Sequence, residues 1–445
     1  MFIGALIIVI GTCVQAPSKT LGEFMAGRFI LGFGVAISAS AGPAYASEMA
    51  HPAFRGVMTG IYNTFWFMGG IPGTFVAYGT HLHVKGDNSW RIPIWLQMFF
   101  SGLVLLAAPW IPESPRWLIA NDRHEEALEV MAKYHGEGNR ENALVQLQYK
   151  EMCADISRTA SDKRWWDYRE LFNTPEVRYR TMLAISMGFF GQWSGNGPVS
   201  YYYPQMLQGA GVNDVNTQLL YNGMQNVVSF GGAVTGAFIT DRIVRRKQLL
   251  TSTAIIVCLF AIIMALNATN LVNNPKYGQG SDDKFLAKSA GQAKAIIALI
   301  FIFGFVFGAG WTPLQALYPV ECLRYESRAK GMGLYNIGMF PFHSDKTYKA
   351  NSVTGVNIAG FYNTFVTGIA FSSAGWKYYF LFIFWDLFEF AFIYFFYVET
   401  KGRTLEELTE IFRGKNRVKR SIQKTEVVLH HGEGVEVVEN DKTLA

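Results

Sequence analysis

Long apolar stretches recur from one end of this sequence to the other, and they constrain its fold more than any other feature. A helix needs about 20 apolar residues to cross the hydrocarbon core of a bilayer, and most of these stretches reach that length. Only 16% of the 445 residues are charged, whereas soluble domains contain about 25%. The sequence therefore predicts an all-α polytopic membrane protein.

Hydropathy predicts ten membrane spans. They cover residues 1–12, 20–42, 57–80, 92–111, 180–208, 217–240, 248–268, 293–319, 331–371 and 376–397. Under strict alternation, the basic segments 112–179, 241–247, 324–330 and the tail after Lys401 all fall on one side of the membrane, and the turn at 209–216 has no Lys or Arg. Because cytoplasmic loops carry the excess of Lys and Arg, we expect both termini in the cytoplasm.

Four regions follow from this pattern. We predict a transmembrane half of four spans over 1–111, a cytoplasmic helical linker domain over 112–179, a transmembrane half of six spans over 180–397 and a cytoplasmic tail over 398–445. Four cysteines lie far apart and give neither a disulfide framework nor a metal-ligand spacing.

Two charge pairs have the same spacing in the two halves. Glu48 ends one span and Arg55 follows seven residues later, as Arg328 follows Glu321. Such pairs can meet at the membrane surface and open as two halves rock, although charges at a span end can also simply mark the membrane boundary. Their recurrence indicates a duplicated transporter.

Five motifs together resemble the signatures of the sugar porter family of the major facilitator superfamily. They are GRFILGFGV (27–35), IPESPRWL (111–118), GAFITDRIVRRK (236–247), YPVECLRYESRAKG (318–331) and VETKGRTLEEL (398–408). Shorter segments such as YNTFWF, WRIPIWLQ and DKRWWDYRELFN are similar to fungal lactose permeases and cellodextrin transporters.

The resemblance implies a fold of twelve spans in two six-span halves. Counted from PESPRWL, which follows the sixth span of the family, residue 1 falls at the start of the third, so we expect the first two spans to be lacking. Arg28 matches an Arg on the fourth span that faces an acidic residue on the first in proton-coupled members. Without that partner, a buried guanidinium would cost several kcal/mol. We therefore expect the chain as written to transport poorly.

The resemblance also implies a cytoplasmic charge network. Its members in the second half would be Asp241, Arg242, Arg245, Arg246, Glu321 and Glu399. Glu113 and Arg116 of PESPRWL take the matching part in the first half. A basic anchor alone would explain the arginines but not the aspartate.

Sugar recognition needs amides and hydroxyls that donate and accept hydrogen bonds, together with aromatic faces. The candidates are Asn63, Gln192, Ser194, Asn196, Trp311 and Asn357. Gly191 stands where the family has a first Gln, and Ala316 where it has a Trp. These departures favour a wider pocket for a disaccharide, although the amides can also simply tie helices together.

Residues 338–354 interrupt the ninth span with His343, Asp345, Lys346 and Lys349. Without them, 331–337 joined to 355–371 gives 24 uncharged residues. We therefore predict a non-native insert, and its codons permit a retained intron. The alternative is a re-entrant loop carrying a proton relay on His343 and Asp345.

The sequence thus predicts a membrane transporter that takes up a β-linked disaccharide of the lactose or cellobiose type with protons, by alternating access. A non-transporting sugar sensor and an inactive truncated transporter are the alternatives. The expected partners are a sugar, protons and the lipid bilayer of the plasma membrane, without nucleic acid. The spans hold no nucleophile–base pair, metal cluster or phosphate-binding loop, so we predict no enzyme activity, cofactor or metal. No oligomeric state follows from the sequence.

Overall fold

The structure is a computed structural model that describes residues 1–51, 55–159, 168–209, 212–272, 290–324, 327–337, 356–403, 405–414, 416–429 and 435–440. Its helices, in chain order, are α1 Phe2–Gln15, α2 Leu21–Met49, α3 Arg55–His83, α4 Asn88–Ala107, α5 Pro115–Ala120, α6 His124–His135, α7 Ala143–Thr159, α8 Pro175–Trp193, α9 Asn196–Tyr201, α10 Tyr203–Gly209, α11 Val215–Arg242, α12 Arg245–Val272, α13 Ala290–Gly310, α14 Thr312–Cys322, α15 Arg328–Ile337, α16 Val356–Ala374, α17 Tyr379–Phe396, α18 Leu405–Arg413 and α19 Arg417–Ile422. Strands β1 Lys424–Leu429 and β2 Val435–Asn440 pair as an antiparallel hairpin in the tail.

Each predicted span coincides with helix in the described residues. Five helical segments are long and apolar enough to cross a membrane: Leu21–Pro43, Asn88–Trp110, Arg245–Asn267, Lys294–Cys322 and Tyr379–Phe396. The remaining predicted spans overlap helices that are shorter, broken or less apolar, so the count of ten stays a prediction. The proposed insert at 338–354 lies outside the described residues, between α15 and α16.

The chain divides into two compact units. The first contains Met1–Asp167 with Tyr203–Gly231, and the second contains Tyr168–Tyr202 with Gly232–Ala445. The division cuts α11, whose first part belongs to the first unit.

Glycines bring α1 and α2 into backbone contact in the first unit. A Cβ on Gly34 would lie 2.8 Å from the carbonyl oxygen of Gly4, and one on Gly11 would lie 2.6 Å from the backbone nitrogen of Leu31. Gly4 and Gly11 on one helix, and Gly27 and Gly34 on the other, repeat at intervals of seven residues. Small residues at such a seam let membrane helices approach closely and gain dispersion energy that lipid does not provide.

The linker helices α5, α6 and α7 pack on one another through a small apolar core. Leu118, Ala127, Met131, Val145 and Met152 are buried there. In the second unit α8 is the central helix and contacts α14, α15 and α16, while α12 packs along α17. This arrangement places the polar residues of α8 against three other helices.

Candidate functional site

The polar motif of α8 lies at a break in the helix. α8 ends at Trp193, and Gly195 then adopts a φ of +77° before α9 begins at Asn196. A Cβ at Gly195 would lie 2.2 Å from the Phe260 ring, so both the backbone conformation and the available space require glycine. The break frees backbone groups in the span from the regular helical ladder, as at the binding sites of many transporters.

An amide from α14 fills the space beside Gly191. A Cβ on Gly191 would lie 2.2 Å from Nε2 of Gln315, which donates to the Gly191 carbonyl oxygen across 3.2 Å. Tyr335 donates to the Gln315 carbonyl oxygen. A carboxamide from a neighbouring helix therefore occupies the space that a side chain at position 191 would take.

Two predicted sugar contacts, Gln192 and Asn196, lie on either side of the helix break and are half-buried. The carbonyl oxygen of Gln192 accepts from Nδ2 of Asn363 at 2.8 Å, and Oδ1 of Asn196 accepts from Ser200 at 2.8 Å. The amide group of Gln192 faces Gly360 of α16. The structure thus brings together polar groups from α8, α9, α14 and α16.

The other predicted contacts differ. Trp311 and Ser194 are each 0% exposed, so a sugar cannot touch them in this conformation. Asn63 is half-buried on α3 in the other unit, and the side chain of Asn357 lies outside the described residues. The Trp311 indole packs into the core of the second unit, and its role as a sugar contact stays a prediction.

Aromatic side chains lie next to these polar residues in the chain. Trp193 stacks on Tyr362 and on Phe189 with ring centroids 5.1 Å apart in both pairs, and Trp385 lies 5.2 Å from Trp193. Exposed aromatic faces suit the apolar side of a sugar ring, and Tyr362 is half exposed at 50%. Gln315, Tyr362 and Asn363 were missed by sequence reasoning, and their only signal was a polar or aromatic residue in an apolar span.

Three residues of the predicted charge network, Arg245, Glu321 and Glu399, interact in the structure. Nη2 of Arg245 lies 2.8 Å from Oε1 of Glu321, whose other oxygen accepts from Thr400 at 2.7 Å. Glu399 accepts from the backbone N–H groups of Arg245 and Arg246 at 3.2 and 2.9 Å. Because these amides open α12, Glu399 is its N-terminal cap, and its charge faces the positive end of the helix.

The remaining charged candidates are placed differently. Glu321 forms its ion pair with Arg245 rather than with the predicted Arg328. Arg242 is exposed, and the side chains of Asp241 and Arg55 lie outside the described residues. In the first unit Glu48 accepts from Ser114 of PESPRWL at 2.5 Å, while Glu113 is exposed and Arg116 half-buried.

A second ionic cluster, centred on Glu176, was missed by sequence reasoning. Its carboxylate lies 2.7 Å from Arg324, 3.0 Å from Arg180 and 3.3 Å from Arg413. Burial raises the pKa of Glu176, but the arginines outweigh that effect and hold the pKa below its usual value. These partners are more than 140 residues from Glu176 in the chain except for Arg180, so no local pattern revealed them.

Arg28 faces an open cavity in the first unit of about 740 Å³. Its guanidinium carbon lies 5.5 Å from the centroid of Phe24, and His81, Trp90 and Gln97 line the same cavity. The Arg28 side chain is exposed to this cavity within the apolar segment Leu21–Pro43, and the cost expected for an unpaired guanidinium there stays a prediction. Among the described residues, no cluster of His, Cys, Asp and Glu could hold a metal ion.

Comparisons with known proteins agree with this architecture. The family profile described as Sugar (and other) transporter matches residues 1–412. A quinate permease of Neurospora africana is 28% identical over 93% of this chain and 74% of its own length. A high-affinity glucose transporter of Kluyveromyces lactis is 26% identical over 93% of this chain and 72% of its own length.

The fold is also that of a solved transporter. The proton:xylose symporter XylE, bound to 6-bromo-6-deoxy-D-glucose, matches with a TM-score of 0.69 and 17% identity, covering 92% of this chain and 82% of that one. These relatives are transporters, not enzymes. The chain belongs to the sugar (and other) transporter family of the major facilitator superfamily and is a multi-pass membrane transporter.

Proposed function

We propose that the protein takes up a β-linked disaccharide, of the lactose or cellobiose type, together with a proton by alternating access. The observation that carries the proposal is the small residue Ala316, which stands where the resemblance to the family implies a Trp. Ala316 is half-buried next to Gln315. A methyl group in place of an indole at position 316 leaves room for a second ring, whereas the space beside Gly191 is filled by Gln315.

The recognition chemistry remains in place around that room. Gln192, Gln315 and Asn196 supply amides, and Trp193 and Tyr362 supply stacked rings. A disaccharide offers more hydroxyls and a longer apolar face than a hexose. The three amides can bind those hydroxyls, and the two rings can contact the longer apolar face. The relatives are named for glucose and quinate, so a small monocyclic substrate is the competing specificity.

The same proposal assigns a role to the charges. XylE is described as a proton:xylose symporter, which supports proton coupling in this chain. Arg245, Glu321 and Glu399 form the cytoplasmic latch of the outward-facing state, with both termini in the cytoplasm and the protein in the plasma membrane. Closing the latch requires α12, α14 and the segment after α17 to meet, as their charges do here.

Uptake measurements test the substrate. The full chain is expressed in yeast cells that lack hexose and disaccharide carriers, and radiolabelled cellobiose, lactose, glucose and quinate are supplied separately. We expect uptake of a disaccharide that rises at acidic pH and collapses with a protonophore. Uptake of glucose or quinate alone would refute the disaccharide proposal, and insensitivity to the protonophore would refute proton coupling. Sequencing of the transcript across codons 338–354 establishes which chain the cells make.

A substitution that restores the large ring tests the pocket directly. Ala316→Trp should abolish disaccharide uptake and spare any glucose uptake, because the indole refills the space for the second ring. Ala391→Trp is the matched control, since Ala391 is exposed on α17. Equal effects of the two substitutions on both sugars would contradict the assignment of Ala316 to the pocket.

A further inference from the structure

Two carboxyl groups are buried in the middle of α17. Asp386 and Glu389 are each 0% exposed within Tyr379–Phe396, a segment otherwise free of charge. An ionised carboxylate at such a depth costs several kcal/mol unless it is paired. Among the described residues, neither group forms an ion pair, and both oxygens of Asp386 lack a hydrogen-bond partner. Two adjacent anions in this setting cannot both be ionised.

The hydrogen bonds of Glu389 indicate which form it takes. Oγ of Ser194 lies 2.5 Å from the Phe190 carbonyl oxygen and 2.8 Å from Oε2 of Glu389. A carbonyl oxygen only accepts, and a hydroxyl has one proton to donate. Both contacts are therefore satisfied when Ser194 donates to Phe190 and a protonated Glu389 donates to Ser194. The indole N–H of Trp385 donates to the other oxygen, Oε1.

The surroundings of the pair are apolar and aromatic. Phe190 packs against Phe388 and Phe392 with centroids 6.2 and 5.2 Å apart, and Trp385 lies 5.3 Å from Phe388. These rings enclose one side of Glu389 and exclude water there. A proton bound in this environment is exchanged only when the helices part.

Charged groups on the neighbouring elements have other partners or lie at the helix ends. Arg180 of α8 pairs with Glu176, and Arg245 of α12 pairs with Glu321. The titratable groups of the closest-packed elements are Glu176, Arg178, Tyr179 and Arg180 on α8; Arg245, Arg246, Lys247 and Cys258 on α12; Lys377 and Tyr378 before α17; and Tyr379, Tyr394 and Tyr397 on or after α17. The hydroxyl of Tyr397 bonds to Ser186 at 3.2 Å.

We propose that Glu389, with Asp386 one turn before it, is a proton-binding site of the second unit that is coupled to the sugar-recognition break through Ser194. This inference rests on the proposed proton-coupled uptake. When Glu389 releases its proton, the carboxylate can only accept, so the Ser194 hydroxyl turns toward it and leaves the Phe190 carbonyl. Ser194 caps the C-terminal end of α8, two residues after Gln192. Loss of the proton therefore loosens the helix end that positions the sugar contacts.

Purified protein in proteoliposomes tests the site with two transport modes. One mode is accumulation of radiolabelled cellobiose or lactose driven by an inward proton gradient, and the other is exchange of the same sugar without a gradient. Glu389→Gln keeps the shape and the neutral charge of the protonated acid. We expect its accumulation ratio to fall to one, the value of a passive carrier, while exchange persists. Asp386→Asn tests the second carboxyl in the same way. Glu407→Gln, at an exposed side chain of α18, is the control expected to resemble the parent chain.

A readout without sugar separates this inference from the proposed function. Infrared spectra of the purified protein should contain a carboxylic-acid C=O band that titrates at high pH and is absent in Glu389→Gln. Full accumulation by Glu389→Gln, or absence of that band from the parent chain, would overturn the site. If the parent chain accumulates neither sugar but shows the band, the proposed substrate or coupling fails and the proton site stands.

Discussion

The cap of α12 offers the sharpest test of the cytoplasmic network. Glu399 is 2% exposed and accepts from the backbone N–H groups of Arg245, Arg246 and Lys401, the last at 2.8 Å. Glu399→Gln keeps the size of the side chain but removes its negative charge. The NH2 group of the new amide can only donate, so it cannot accept a hydrogen bond from a backbone N–H. A hydrogen bond to a charged group is worth about 1.5–3 kcal/mol, and charge at a helix end adds about 0.3–1 kcal/mol. We therefore expect a loss of about 2–4 kcal/mol of stability for the second unit.

Reversible unfolding in mixed detergent micelles, followed by circular dichroism, measures this loss. Glu407→Gln is the matched control, because it makes the same chemical change at a side chain that is 48% exposed and lies 3.7 Å from Arg403. An exposed ion pair contributes about 0–1 kcal/mol, so the control should remain close to the parent chain. If the two variants lose the same stability, the reasoning on the cap of α12 is refuted.

Two further predictions concern the break after α8 and the Glu176 cluster. Gly195→Ala should lower the free energy of unfolding by about 1–3 kcal/mol more than Gly402→Ala does. Both glycines have positive φ, but only a Cβ at position 195 would lie 2.2 Å from the Phe260 ring. Equal unfolding midpoints for the two variants would contradict this prediction. Arg324 and the other arginines hold the pKa of Glu176 below its usual value. The ionised Glu176 therefore contributes its full stability above the unfolded-state pKa of about 4.3. That contribution is lost as the pH falls through the lower folded-state pKa. The melting temperature of the parent chain should therefore fall below about pH 5 relative to neutral pH. Glu176→Gln, which is already destabilised, should show a smaller fall. If the melting temperatures of the two chains change equally with pH, the Glu176 cluster is not the cause of the acid sensitivity.

The sequence predicted the family, and it placed in one network three charged residues that interact in the structure. Hydropathy and the paired motifs were sufficient there, because Arg245, Glu321 and Glu399 each stand in a recognisable signature. The partners of Glu176 could not be found in this way, since Arg324 and Arg413 approach it only through the tertiary fold.

The sugar site shows the same limit at shorter range. Trp311 lies five residues before position 316, and five residues rotate a helical side chain by about 140° onto a different face. Gln315 was passed over, although it supplies the amide that Gly191 lacks. Asp386 and Glu389 had a visible signal, two acids within WDLFEF, but the surrounding aromatic residues made the segment resemble an ordinary span.

The hydrogen bond between Trp385 and Glu389 makes the indole an optical reporter. An indole N–H that donates to a neutral acid emits at a different wavelength from one that donates to a carboxylate, and Trp385 touches no other titratable partner in the hydrogen bonds of the described residues. Its fluorescence should therefore follow protonation of the buried acid during turnover. A difference spectrum between the parent chain and Glu389→Gln isolates this signal from the other tryptophans, so single transport cycles could be timed without a label.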